Sequence, residues 1–547
     1  MHHLRAPLTA LIPLVALIAI AALAIALDGP AAAAGATYYV SPSGSDNGPG
    51  SQQQPFATIQ KGADVAGPGD TVQIAAGVYE PFTIDNSGTS GSPITFRGTV
   101  GAWADGNCDD YAMHIEADYI VIEDLGARRS NEEVVRLDAA DFVTLDGMTV
   151  TDWNCGEGED QYRAGIASWF GGRALTVTDS YLERRVTVAG SDVGFGNGIW
   201  VKNTGAAAGG GHEFTGNTII GGWDGIGGEP EDETWGVFNG NTTIANNTIS
   251  ECDDDGIQVE GGTHNITVSG NHISGCLIGI AFAPALGGPF TILRNVIVGP
   301  QPRRGEGPAM FKAGDNSTGE VMIYHNSFFA GSLDADGFKQ TNSNLRNIRL
   351  LNNAIFAGRY TWETSSHTGT VTADYDALYT TDNDRFAKWD DTQYSDLDDL
   401  QSDEGQEMHG ISPGNFSWNG NLVPLPSSPL IDAGVVIPGV NDGYGGGAPD
   451  IGAYELGGSG PPPPPPAPTS SPEPTIGNAA ADADCDGLIS ANDVMWYLQV
   501  IAGLTPLGCL HLVDLNCDGL LTGNDALIVL AFLAASGPPI PDGCPLP

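Results

Sequence analysis

Short aliphatic runs separated by Asn, Asp and Gly recur along the middle of the chain. Phe214-Thr-Gly-Asn217-Thr-Ile219, Ile244-Ala-Asn-Asn247-Thr-Ile249 and Val268-Ser-Gly-Asn271-His-Ile273 are three instances. Ile292-Leu-Arg-Asn295-Val-Ile297, Ile323-Tyr-His-Asn326-Ser-Phe328 and Leu350-Leu-Asn-Asn353-Ala-Ile355 continue the series, the asparagines falling 24–31 residues apart. A period of this size marks stacked supersecondary units. No unit contains a helical pattern of useful length; each has short β-rich runs broken by turn formers. Leucine is too sparse for a leucine-rich repeat, and the period is too short for four-stranded propeller blades. The pattern therefore predicts a mainly β parallel β-helix with one coil per repeat, its asparagines stacked in equivalent turns.

A second recurring strand sets the register: Asn197-Gly-Ile-Trp-Val-Lys202, Asp224-Gly-Ile-Gly-Gly-Glu229, Asp255-Gly-Ile-Gln-Val-Glu260 and Ile278-Gly-Ile-Ala-Phe-Ala283. Ala309-Met-Phe-Lys-Ala-Gly314 and Asp336-Gly-Phe-Lys-Gln-Thr341 follow more loosely. Because side chains alternate across a strand, Ile199, Ile226, Ile257, Ile280, Phe311 and Phe338 should stack inward. Trp200, Gly227, Gln258, Ala281, Lys312 and Lys339 should form one outward column, and Lys202, Glu229, Glu260 and Ala283 the next. Cys252 and Cys276 share the spacing of Asn247 and Asn271. Adjacent coils lie about 4.8 Å apart, within reach of a disulfide, so Cys252–Cys276 is expected to pair. Cys108–Cys155 is the remaining pair in this region.

Composition narrows the class. The chain has 547 residues, too many for one ordinary core, and 76 glycines with 36 prolines argue against a mostly helical protein. Asp and Glu number 67 against 21 Lys and Arg, a formal charge of −46, which repels phosphate backbones and excludes nucleic-acid binding as a role. Calcium is the natural counterion for so many carboxylates. Arg5, the apolar run Leu11 to Leu27 and Ala31-Ala32-Ala33-Ala34 read as a signal peptide over residues 1–34, cut near Gly35 or Ala36, with a membrane anchor as the alternative. No later segment is apolar enough to span a bilayer. Export makes disulfides from the eight cysteines reasonable.

The composition breaks at Gly457-Gly458-Ser459-Gly460 and Pro461 through Pro466. Residues 457–477 read as an extended polyproline linker between a repetitive region, 36–456, and a small module, 478–547.

The opening Tyr38-Tyr-Val-Ser-Pro-Ser-Gly-Ser-Asp46, with Gln54-Pro-Phe-Ala-Thr-Ile-Gln-Lys61, Pro68-Gly-Asp-Thr-Val72 and Gly77-Val-Tyr79, resembles secreted right-handed β-helix proteins of the pectate lyase superfamily. Ser428-Pro-Leu-Ile-Asp-Ala-Gly434 and Pro449-Asp-Ile-Gly-Ala-Tyr-Glu455 are similar to the closing strands of that group. The resemblance covers nearly all of 36–456 and speaks to fold more than to substrate. Within the group, some pectate lyases carry an aspartate-held calcium, with an Asp-Asp-Gly-x-Asp strand, and a lysine base in a Gly-Phe-Lys strand. Asp254-Asp255-Gly256-Ile257 matches the first, with Gln258 where the last aspartate stands; Gly337-Phe338-Lys339 matches the second and Met310-Phe311-Lys312 nearly does. The resemblance thus implies a calcium held by Asp254 and Asp255 in the β-helix groove, and Lys312 or Lys339 as base.

β-Elimination from a uronic acid needs a base near the C5 proton and a cation on the carboxylate. Lysine serves where neighbours depress its pKa. Only five lysines occur, and three of them, Lys202, Lys312 and Lys339, fall in the aligned strands; solvated surface charge is the plainer account. Arg303 and Arg304 could clamp a sugar carboxylate. Glu229 and Glu260, on consecutive coils with backbones about 5 Å apart, are a possible glycosidase pair. Trp200 and Trp223, with Trp169, form a potential sugar-stacking platform. The preferred reading is a uronan lyase on an acidic polysaccharide; a glycoside hydrolase or epimerase, and a non-catalytic glycan-binding or surface β-helix, are the alternatives.

In the C-terminal module, Asp482, Asp484, Asp486, Leu488, Ser490 and Asp493 occupy positions 1, 3, 5, 7, 9 and 12 of a calcium loop, with Gly487 at the turn. Asp514, Asn516, Asp518, Leu520, Thr522 and Asp525 repeat it. The leucines would ligate through backbone carbonyls, and each loop precedes an apolar helical stretch. Aspartate at the last position and the duplicated loop-then-helix order resemble dockerin modules, which implies two calcium ions and a cohesin partner. Cys485–Cys509 and Cys517–Cys544 would each close one half. A calcium-stapled end domain without a cohesin is the alternative.

Overall fold

The computed structural model describes residues 35–457 apart from 156–162, 185–195, 204–209, 231–237, 239, 304, 315–318, 332–333 and 342–344. The signal-peptide, linker and dockerin readings, with their calcium ligands and Cys485, Cys509, Cys517 and Cys544, lie outside these residues.

The described chain is a right-handed parallel β-solenoid of three sheets, with 13, 13 and 12 strands. The first sheet runs from Thr37–Val40 to Val371–Asp374, the second from Phe82–Ile84 to Thr392–Tyr394, and the third from Gly77–Tyr79 to Ala377–Thr380. Each coil gives one strand to each sheet, so every strand pairs with those of the coils before and after. The pairing is parallel throughout except at the last pair of the second sheet, Ala387–Trp389 with Thr392–Tyr394, which is antiparallel. A helix, Ile59–Val65, with Thr58 as its N-cap, buries Ile59 and Ala63 near the first coils. A second, Leu397–Glu404, is capped by Asp396 and buries Leu397 and Leu400 near the last. Such ends keep sheet edges from pairing with other chains.

The expected register is the observed one. Ile199 pairs with Ile226, Ile226 with Ile257, Ile257 with Ile280, Ile280 with Phe311 and Phe311 with Phe338. All six side chains are fully buried. Burial of a large aliphatic or aromatic side chain contributes about 1.5–3 kcal/mol. One column therefore outweighs any single surface contact.

The asparagine stack is equally regular. The Asn217 backbone N–H and Nδ2 both donate to Asn247 Oδ1 at 3.0 Å. Asn247 does the same to Asn271, Asn271 to Asn295, Asn295 to Asn326 and Asn326 to Asn353. Each Nδ2 also donates to a strand carbonyl. The stack ends on Asp376, whose Oδ1 accepts from Asn353.

Cys252–Cys276 and Cys108–Cys155 are both disulfides, with Cα–Cα distances of 4.3 and 5.7 Å. One expectation fails. Ser428–Gly434 and Pro449–Glu455 form turns, not closing strands. Their apolar side chains instead lie outside the third sheet, Leu430 and Ile451 against Ala354 and Ala377, and Ala453 and Tyr454 with Val296. Proline, glycine and aspartate break these segments too often for a ladder.

Candidate functional site

The second sheet carries the predicted outward column. Trp200 pairs with Gly227, Gln258 with Ala281, Ala281 with Lys312, and Lys312 with Lys339. Ala281 is small and fully buried between the coils of Gln258 and Lys312. Lys312 can therefore lie back across it, and its Nζ donates to Asp255 Oδ2 at 2.9 Å. Glu260 Oε1 is 3.8 Å from the same nitrogen.

Asp255 sits at the start of its strand, on a second coil-to-coil ladder. The Asp255 N–H donates to Asp224 Oδ1 at 2.9 Å, and the Asp224 N–H to Asn197 Oδ1 at 3.1 Å. Both aspartates are at most 1% exposed. Burial first, then the charges of Asp255 and Asp254, push the Asp224 carboxyl well above the usual carboxylate range. Burial alone would lower the Lys312 ammonium; Asp255, Glu260 and Asp254 reverse that and hold it well above the usual lysine range. Lys312 in this arrangement is a buried counter-ion, not the depressed, ready base that β-elimination asks of a lysine.

The donor set fits a hard cation. Among the described residues, Asp224 Oδ2 and Gln258 Oε1 are buried oxygens without a hydrogen-bond partner. A Cβ at Gly227 would stand 3.1 Å from Asp224 Oδ2 and 2.9 Å from the Trp200 ring, so glycine leaves space there. Carboxylates and an amide oxygen are calcium donors. Asp224 is the residue that sequence reasoning left out of the site. Its signal was available: it opens the same Asp-Gly-Ile strand as Asp255, one coil earlier.

Other expected residues are dispersed. Lys339 is half-buried, its Nζ donating to the Gly307 carbonyl at 3.3 Å. Arg303 reaches Asp253 at 3.7 Å and the Gly275 carbonyl at 3.3 Å, so it braces the turn beside the Cys252–Cys276 disulfide. Arg304 lies outside the described residues. Trp200 is 3% exposed and packs on Ala164, Ala167 and Trp169, so it is a packing residue rather than a sugar platform. Lys202 pairs in register with Trp169 and Glu229. The Glu229 side chain is outside the described set. Glu260 lies in the turn after its strand, Asp255–Gln258, and faces Lys312, so its column does not extend as expected.

Two family models match parts of the chain: "Pel9A-like, right handed beta helix region" over residues 38–264, and "Periplasmic copper-binding protein (NosD)" over residues 193–361. The curated relative, the uncharacterized protein YwoF of Bacillus subtilis, is 31% identical over 117 residues, 21% of this chain. That match spans only 22% of the relative's length. Among solved structures, pectate lyase Pel9A aligns with 18% identity and a TM-score of 0.44, covering 77% of this chain and 96% of that one. The catalytic unit of a GH87 α-1,3-glucanase from Streptomyces thermodiastaticus aligns with 16% identity and a TM-score of 0.46, covering 66% of each. An alginate lyase from Paenibacillus aligns with 19% identity and a TM-score of 0.35, covering 53% of this chain and 94% of that one.

Proposed function

We propose that the solenoid is a polysaccharide-acting lyase that cleaves uronic-acid polymers by β-elimination, with its reaction centre on the outer face of the second sheet. The observation that carries this reading is the convergence of Lys312 with Asp255, Glu260, Asp224 and Gln258, two of whose oxygens are buried and unpartnered. The match of residues 38–264 to the Pel9A-like model adds support.

Asp224, Asp254, Asp255 and Gln258 would hold a calcium ion. Bound there, calcium would neutralise the uronate carboxylate and stabilise the enolate left by proton loss. Lys312 would take the C5 proton. It can do so only as the free amine, and Asp255 and Glu260 at present keep the proton on it. The base role therefore requires Asp255 to be engaged elsewhere, which its place among the calcium donors provides. Lys339, one coil on, donates to the Gly307 carbonyl and is the weaker choice for base.

The remaining parts complete the proposal. The chain would be exported by residues 1–34, and residues 478–547 would fold around two calcium ions and dock to a cohesin. The test is incubation of the full chain with acidic and neutral polysaccharides, with calcium or with chelator. Calcium-dependent ultraviolet absorbance of an unsaturated product from a uronan is expected. New reducing ends without that absorbance would make the protein a hydrolase, and binding without product would make it a glycan-binding solenoid.

A further inference from the structure

Five coils toward the N-terminus from Gln258, the same outward column contains His114. The path runs through paired positions, His114 with Arg136, Arg136 with Ala167, Ala167 with Trp200 and Trp200 with Gly227, whose coil pairs with that of Gln258. At about 4.8 Å per coil the separation is roughly 24 Å. The inward residue Ile115 pairs with Leu137, so His114 and Glu116 flank it on the outer face and Glu116 stands opposite Asp138 on the next coil.

The side chains converge. His114 Nε2 is 3.0 Å from Asp138 Oδ2 and 4.0 Å from Glu116 Oε1, and one ligand atom from each of the three lies within 4.8 Å of the others. A tetrahedral ion with bonds of about 2.0–2.2 Å spaces its ligand atoms by roughly 3.3–3.6 Å, which the first two separations bracket. The surroundings favour a cation. Glu132, Glu133 and Asp138 gather around the Arg136 guanidinium, at 4.0, 3.6 and 3.0 Å, and Glu116 lies on the His114 side. Arg136 Nε donates to Asp138 Oδ1 and Oδ2 at 3.0 and 3.2 Å, which orients the carboxylate, and the Tyr111 ring packs against the imidazole at 4.8 Å. Supports of this kind orient metal ligands. Glu116 is half exposed, so the site opens to solvent.

We propose that His114, Glu116 and Asp138 bind a divalent transition metal. The imidazole nitrogen selects a zinc-like ion over calcium or magnesium, which take oxygen ligands. Three protein ligands leave at least one position open for water or an anionic ligand. The site is independent of the lyase reading and of the Asp224–Asp255 cluster.

The test is zinc titration of the full chain by calorimetry in saturating calcium, which occupies oxygen-only sites. A zinc site is expected that His114→Ala weakens by about 10–100-fold, while His367→Ala and His409→Ala leave it unchanged. Glu116→Gln, at a half-exposed position that should fold normally, is expected to weaken it several-fold. Cobalt in place of zinc should give a visible absorption band that disappears in His114→Ala. Absence of zinc binding, or equal affinity in wild type, His114→Ala and Glu116→Gln, would overturn the proposal.

Discussion

Two ladders climb this solenoid, and they differ by one atom type. From Asn217 to Asn353 each rung is an amide, which donates and accepts, so the stack satisfies itself. In the second ladder Asn197 Oδ1 accepts the Asp224 backbone N–H and Asp224 Oδ1 accepts that of Asp255, each from the following coil, whereas each asparagine Oδ1 of the first stack accepts from the preceding coil; an ionised carboxylate in such a rung, unlike an amide, has no proton to give. Amide rungs can repeat without cost. Carboxylate rungs accumulate buried charge, which raises the Asp224 pKa, draws Lys312 across Ala281 and leaves oxygens facing open space. One ladder holds the fold, and the other concentrates the electrostatic strain that chemistry can use.

The largest expected effect separates the two at the level of activity. Lys312→Ala should cut uronan cleavage by about 100-fold or more, with the melting temperature in calcium little changed. Cleavage at the wild-type rate would remove Lys312 from the chemistry. Exchanging rung types tests the comparison itself. Asn271→Asp puts an unpaired charge among Asn247, Ile244 and Asn295. It should cost about 3–5 kcal/mol in urea unfolding at neutral pH, with recovery in acid.

The asparagine ladder also predicts a pH dependence where it meets acids. Burial pushes the Asp376 carboxyl up to about 7, and burial together with Asp376 pushes Glu407 well above its usual range. The folded chain thus holds protons there that the unfolded chain releases above about pH 4. That stabilisation is full below about pH 4 and is lost as pH rises through about 7. The amount is on the order of 2–4 kcal/mol. Asp376→Asn keeps an acceptor for Asn353 and should flatten the profile of melting temperature between pH 5 and 8; an unchanged slope would place the titration elsewhere. The smallest effect is the reverse exchange. Asp224→Asn makes that rung an amide, and should raise calcium-free stability by about 0.5–2 kcal/mol while abolishing the calcium dependence of cleavage. Lower stability with intact calcium dependence would break the contrast between the ladders.

Much of this was legible in the chain. Asn217 to Asn353 repeat at one-coil spacing, and a period-two strand beside them assigns Ile199 to Phe338 to the inside. Cys252 and Cys276 follow from the same spacing. Within the site, Asp255, Gln258, Glu260 and Lys312 were foreseen on one face. Asp224 was aligned but not given a role, because one aspartate in a Gly-rich strand has no meaning until its neighbours are known. Trp200 could not be assigned to packing, since its cover comes from Ala164, Ala167 and Trp169 on another coil. Ser428–Gly434 and Pro449–Glu455 resemble the closing strands of the pectate lyase superfamily, but their turn formers keep them outside the ladder.

The division has a physical cause. Repeat length, inward and outward parity and the stacking of asparagines depend on spacing along the chain, and spacing is written in the sequence. Whether Lys312 is a base or a counter-ion, which oxygens lack partners, and how deeply Asp224 is buried depend on atoms brought within a few ångströms from different coils. Electrostatic energies at such range are set by distance and solvent exclusion, and these exist only once the coils are stacked.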